Sequence, residues 1–372
     1  MTTSLRWSVV VLLAAAGVAG AQPYQFQGLG HLPGGDYPSE ARACSADGSV
    51  VIGSSRSASG LQQAFVWTEG AGMLPLATPA GQTMSWANDV SADGNYVVGW
   101  AGSDFGSAVG WEGVRWGPAG SLDRIAVVGA GVWAKGVSGD GSVVVGGSSD
   151  EAFRWTVAGG LEPLGTLFEH MTTSRSNADA VSADGLTVVG DSIGIEGIGS
   201  IRDVFRWTEA GGMVGLGGAY SATGVSADGS VLAGTFDNGQ YFEAYRWTLA
   251  TGLVPLGNYE SDHHTRAQGM SDDGTRIVGY VQSDSDDSQR AMLWDAAHGI
   301  RIVQDVLEDR GADMTGWQLT QAWGVSPNGP TIVGRGYHNG QEEAWVAVLP
   351  DPATLALVGA GALGLLGRRR RT

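Results

Sequence analysis

Short apolar runs punctuated by glycine and aspartate fill the chain, and no run carries a helical stripe long enough for a two-helix repeat. The pattern recurs: "GVSADG", then "SVVVG", then an aromatic segment such as "EAFRWT", then "GGLEPLG". Its Asp-Gly falls at Asp47, Asp93, Asp140, Asp184, Asp228 and Asp273, and returns as Asn328-Gly329, in steps of 46, 47, 44, 44, 45 and 55 residues. Four short segments rich in Val, Phe and Trp, each ended by a turn residue, read as four strands per unit. Seven such units of ~45 residues predict an all-β fold, a seven-bladed β-propeller.

Within a unit, Asp-Gly sits between two strands, where glycine supplies positive φ and aspartate bonds back to its own backbone. Each third strand carries a tryptophan: Trp67, Trp116, Trp155, Trp207, Trp247, Trp294 and Trp345. With Phe65, Phe153 or Tyr245 two residues earlier, these share one strand face and are expected to wedge between neighbouring sheets rather than stack sugars. The seventh unit ends at "EEAWVAVLP" without a fourth strand, while "FQGLGHLPGG", residues 26–35, matches the missing pattern. The N-terminal strand is therefore expected to complete the last blade and leave no open edge.

Composition narrows the functional classes. The chain holds 372 residues, 61 of them Gly and 14 Trp, with a formal charge of −17 that repels phosphates and argues against nucleic acid as a partner. The one cysteine, Cys44, stands where other repeats have Val or Met and reads as a small buried hydrophobe. Residues 1–21 combine Arg6, an apolar run and Ala19-Gly20-Ala21, the layout of a secretory signal peptide cleaved after Ala21. Residues 350–372 set Pro350-Asp351-Pro352 before fifteen uncharged residues and then Arg368, Arg369, Arg370 and Arg371, as expected for a short apolar helix held by a cytoplasmic basic end.

Two resemblances follow from these residues. The C-terminal segment resembles a PEP-CTERM sorting signal, with Asp351 in place of glutamate. That implies transient inner-membrane anchoring, recognition by an exosortase after passage through the secretion machinery, and release to the cell surface or extracellular matrix. Residues 22–349 resemble bacterial extracellular HAF repeats, through "GHLPGGDYPSEARACSADGSVVIGSS" and "TGWQLTQAWGVSPNGPTIVG". The histidine of that pattern is replaced by Gln63, Glu151, Glu243, Arg290 or Glu343, so no histidine chemistry is carried over.

Candidate chemistry is sparse. The serine before each Asp-Gly, as at Ser138 and Ser226, recurs in every unit and lacks the elbow geometry of a hydrolase nucleophile; it reads as turn chemistry. The six histidines show no metal-ligand spacing. No cofactor is expected, although Asp284, Asp286 and Asp287 crowd hard oxygens into one loop that could hold calcium. The variable connections should gather on one face and carry recognition: Trp100, Phe105 and Trp111, the stretch from Asp191 to Val204, the Asp284 loop, and an insertion with a short helix in "VQDVLEDR". The expected function is non-enzymatic: an exported binding or structural propeller associated with exopolysaccharide or surface proteins. The alternative is a secreted carbohydrate-active hydrolase or lyase using acids on the variable face.

Overall fold

Each Asp-Gly turn folds one strand back on the next, and the outcome is seven four-stranded antiparallel sheets. The computed structural model describes residues 25–103, 110–125, 131–259 and 263–349. Blade one runs Ser39–Cys44, Val51–Arg56, Gln62–Thr68 and Gly72–Pro75. The innermost strands of blades two to six are Met84–Val90, Val132–Val137, Thr173–Val181, Ser221–Val225 and His263–Met270. Blade seven consists of Trp317–Val325, Thr331–His338 and Gln341–Val348, with Gln25–Gly30 as its outermost strand. Gly28 faces Trp345 across that closing pair, so the N-terminal strand fastens the ring as its sequence implies.

The turns share one hydrogen-bond plan. In six of them the serine hydroxyl donates to the aspartate Oδ1 over 2.5–2.8 Å. In all seven the serine Oγ accepts the backbone N–H five residues on at 2.9–3.0 Å. These serines are buried, which fits a structural bracket and not a nucleophile. The residue after the serine ties blade to blade: Ala46, Ala92, Gly139, Ala227 and Asp272 each donate a backbone N–H to the next blade's carbonyl at 2.8–3.0 Å.

The tryptophans wedge the blades apart at a fixed spacing. Trp67 lies in one buried cluster with Val333 and Ala344 of blade seven, Trp207 with Val143 and Val145 of blade three, and Trp345 with Val278 and Leu293 of blade six. Burying each ring removes roughly 200 Å² from water, and one such cluster at every junction makes the core a ring rather than a centre. The helix Val303–Glu308 appears where "VQDVLEDR" places it, with Val303 and Leu307 buried against the cluster that holds Trp345. Cys44 is likewise buried, in the cluster with Trp67, and burial pushes its thiol up.

Each second strand carries a glycine for a steric reason. At Gly53, Gly99, Gly146, Gly190, Gly234, Gly279 and Gly334 an added Cβ would lie 1.8–2.1 Å from a backbone carbonyl oxygen of the innermost strand. Opposite each of them that strand has a β-bulge. The extra residue turns one side chain out of the pleat, and only a missing Cβ leaves the backbones room to approach.

Candidate functional site

The seven bulged residues are Arg42, Asn88, Lys135, Asp179, Thr223, Gln268 and Trp323, no two alike. All seven line one central cavity of about 210 Å³, floored by Cys44, Val90, Val137, Val181, Val225, Met270 and Val325. The same backbone event, repeated sevenfold, thus presents seven unlike groups to one space. Two residues nearer the variable loops, on the same side of each strand, stand Glu40, Trp86, Trp133, Asn177, Ser221, Arg266 and Gln321. Their partners on the second strands are Ser54, Trp100, Gly147, Asp191, Thr235, Tyr280 and Arg335. These two tiers form the mouth of the channel.

Blades two and three make its aromatic side. Trp86 stacks on Trp100 with ring centroids 3.9 Å apart and planes 13° from parallel, and Trp100 stacks on Trp111 at 4.4 Å and 22°. All three rings are half-buried, so the stack is a rigid block with part of its surface in solvent. The neighbouring Trp133 lies over Gly147, where an added Cβ would come within 2.7 Å of its Nε1.

Blades six, seven and one make its cationic side. Arg42 bonds Glu40 at 2.9 Å and lies 4.0 Å over the Trp323 ring. Arg335 bonds Glu342 at 2.8 Å and Gln321 Oε1 at 2.9 Å, and reaches Glu40 at 3.9 Å. Arg266 lies 4.0 Å over Phe242, whose other contacts include Tyr220, edge-on at 5.1 Å. Arg202, on the long second hairpin of blade four, covers Tyr220 at 4.4 Å.

Blades four and two supply acids, and blade three a lysine among them. Lys135 pairs with Asp179 at 2.5 Å; burial disfavours the ammonium, but Asp179 outweighs it and the pKa ends above that of ordinary lysine. Asp191 is pushed up to about 6, first by burial and then by Asp179, against the opposing pull of Arg202 and Lys135. Deeper in the channel, Asp89 stands where other blades have alanine or glycine. Burial raises it to about 7 although it accepts the Val137 N–H at 2.9 Å.

The expected residues divide accordingly. Trp100 and Trp111 come together at the mouth, and Asp191 lies in the same tier as Trp100. Asp284, Asp286 and Asp287 do not converge on one point: Asp284 bonds His264 Nε2 at 2.7 Å, Asp286 accepts the Ser288 N–H at 3.1 Å, and Asp287 accepts from Gln282 at 2.8 Å. Among the described residues no group of three or more His, Cys, Asp or Glu side chains is arranged to hold a metal ion. Phe105, Ala19 and Ala21, and the sorting residues Pro350, Asp351, Pro352 and Arg368 to Arg371 lie outside the described residues. Sequence reasoning missed Trp86, Trp133, Arg266 and Arg335 because it looked for recognition in loops. Aligning the seven first strands on their invariant alanine would have exposed that diverse column.

No family model matches the chain, and no curated protein matches it. Among solved structures it is similar to an oligogalacturonate lyase in complex with manganese, at 13% identity and a TM-score of 0.56, covering 90% of this chain and 99% of that one. An oligogalacturonate lyase from Vibrio parahaemolyticus aligns at 12% identity and TM-score 0.57 over 90% and 99% of the two chains. The β-propeller domain of the trilobed protease from Pyrococcus furiosus aligns at 12% and 0.51 over 83% and 95%. At such identities the likeness establishes the fold alone: the chain is a seven-bladed β-propeller closed by its own N-terminal strand.

Proposed function

We propose that this protein is an exported, surface-displayed propeller that binds polysaccharide without cleaving it, and that the glycan seats at the channel mouth. The observation that carries the reading is the composition of that mouth. Bulged innermost strands and their partners present tryptophans on one side and arginines with amide and hydroxyl donors on the other. Flat apolar faces suit the C–H faces of sugar rings, and fixed donors suit their hydroxyls. Export through the N-terminal segment and exosortase processing at the C-terminal segment belong to the same proposal, since a matrix glycan is met outside the cell.

The test is a binding titration of the full chain against neutral and acidic polysaccharides. Trp100→Ala should weaken binding by about tenfold or more, whereas Leu74→Ala, on the exposed outermost strand of blade one, should leave it unchanged. A wild-type chain that binds no saccharide of the panel ends the proposal.

One observation favours a second reading, a carbohydrate-active lyase or hydrolase. Asp191, held near 6 beside Asp179, is poised to exchange a proton near neutral pH. Release of new sugar ends by the wild type, abolished in Asp191→Asn, would replace binding with catalysis.

A further inference from the structure

Most arginines at the mouth are already matched by an acid: Arg42 by Glu40, Arg335 by Glu342, Arg202 by Asp191 at 3.8 Å. Arg266 differs. Among the described residues no carboxylate pairs with it, and its Nε is buried without a hydrogen-bond partner. Its guanidinium carbon rests 4.0 Å over Phe242, a ring face that limits where the group can move. Directly across the strand pair stands Tyr280, flanked by both Arg266 and Arg335. Burial keeps that phenol protonated against the pull of the two cations, so its hydroxyl remains a donor.

A half-buried cation with an unused donor is costly to keep unless something supplies the missing charge. In a chain of net charge −17 an acid partner would have been easy to place, yet none of the described carboxylates fills this position. A guanidinium held against a ring face and a neighbouring hydroxyl donor match the planar fork of a carboxylate or one edge of a sulfate. Trp86 and Trp100, on the opposite side of the mouth, leave the sugar ring an apolar block to rest on.

We infer that Arg266, with Tyr280 and Arg335 beside it, is the subsite for the oxyanion of an acidic saccharide, a uronate or a sulfated sugar. This inference rests on the glycan-binding reading of the mouth and adds the ligand's charge to it. Arg266 makes the direct contact; Phe242 is a positioning residue that holds the guanidinium in place.

Calorimetric titration of the full chain tests it, with wild type, Arg266→Gln and Arg266→Lys compared at low and high salt. The ligands are an oligogalacturonate, a neutral gluco-oligosaccharide of equal length, dextran sulfate and inorganic sulfate. Wild type should bind the charged saccharides more tightly than the neutral one, with the preference shrinking as salt rises. Arg266→Gln should weaken charged-saccharide binding by about tenfold and neutral-sugar binding by much less, so that the preference for charge collapses, while Arg266→Lys should restore part of it. A preference for oligogalacturonate over dextran sulfate identifies the carboxylate, and the reverse identifies the sulfate. Equal binding of neutral and charged sugars, unchanged in a folded Arg266→Gln chain, overturns the subsite and leaves glycan binding standing. Binding of inorganic sulfate that depends on Arg266, without binding of any saccharide, keeps the anion site and overturns the glycan reading. Binding of no ligand at all overturns both.

Discussion

Aspartate behaves in opposite ways in the exposed turns and in the central channel. In the turns Asp228 is held down at about 2 by the Ser230 and Ser226 hydroxyls and the Ser230 N–H, and Asp47, Asp93, Asp140 and Asp273 are lowered with it. In the channel, burial lifts Asp89 to about 7 and Asp191 to about 6. The turn aspartates are held by neighbouring hydroxyl and N–H donors in a plan that repeats; the channel carboxylates are desolvated and have no counterpart in most blades. The turns build the ring, and the channel faces whatever the ring holds.

The largest test of this division falls on the glycines that permit the bulges. Gly190→Ala would drive a Cβ to 1.9 Å from the Asn177 carbonyl oxygen, so a loss of about 4 kcal/mol or more is expected, read as a collapse of the thermal transition. A near-normal melting temperature would mean that the bulge adapts and the mouth is not fixed by this contact.

Next comes the turn bracket. Ser182→Ala removes both the hydroxyl donated to the exposed Asp184 at 2.5 Å and the acceptor of the Thr187 N–H at 3.0 Å, leaving that buried N–H unmatched. A loss of about 2 kcal/mol is expected in denaturant unfolding, with saccharide binding unchanged. Weakened binding in a folded Ser182→Ala chain would blur the distinction between turn and channel.

A test of a different kind concerns pH. Unfolded, Asp89 titrates near ~3.9; folded, it titrates at about 7. The native state therefore holds the extra proton between these values, and stability falls as pH rises through that window. Asp89→Asn should raise the melting temperature at pH 8, change it little at pH 4, and flatten the slope between. Asp191 contributes in the same sense at about 6. The same slope in wild type and Asp89→Asn would assign the pH dependence to other groups.

The ring was legible in the sequence because its demands are local. Ser-x-Asp-Gly specifies its own turn, each tryptophan announces its wedge, and the unmatched "FQGLGHLPGG" pointed to the closing strand. The mouth was harder to read because a bulge breaks strand periodicity at the very residue that enters the channel. Trp86 in "SWANDV" and Arg266 in "TRAQGM" sit in columns with no shared chemistry, so repetition, the signal that revealed the blades, hides them. Trp100 and Trp111 were found because two aromatics in a glycine-rich connection stand out by composition. Their partner Trp86 comes from a different strand, and only the register joins it to them.

Lys135 offers the most direct measurement. It is the one lysine in the chain and lines the central cavity, paired with Asp179. Its acylation rate, read by peptide mass mapping with and without saturating acidic polysaccharide, reports whether a bound glycan covers the channel. Glycan seated at the mouth predicts acylation slowed severalfold, with the N-terminal amine labelled at an unchanged rate. Lys135 acylated equally fast at saturation would show that the ligand binds elsewhere on the propeller.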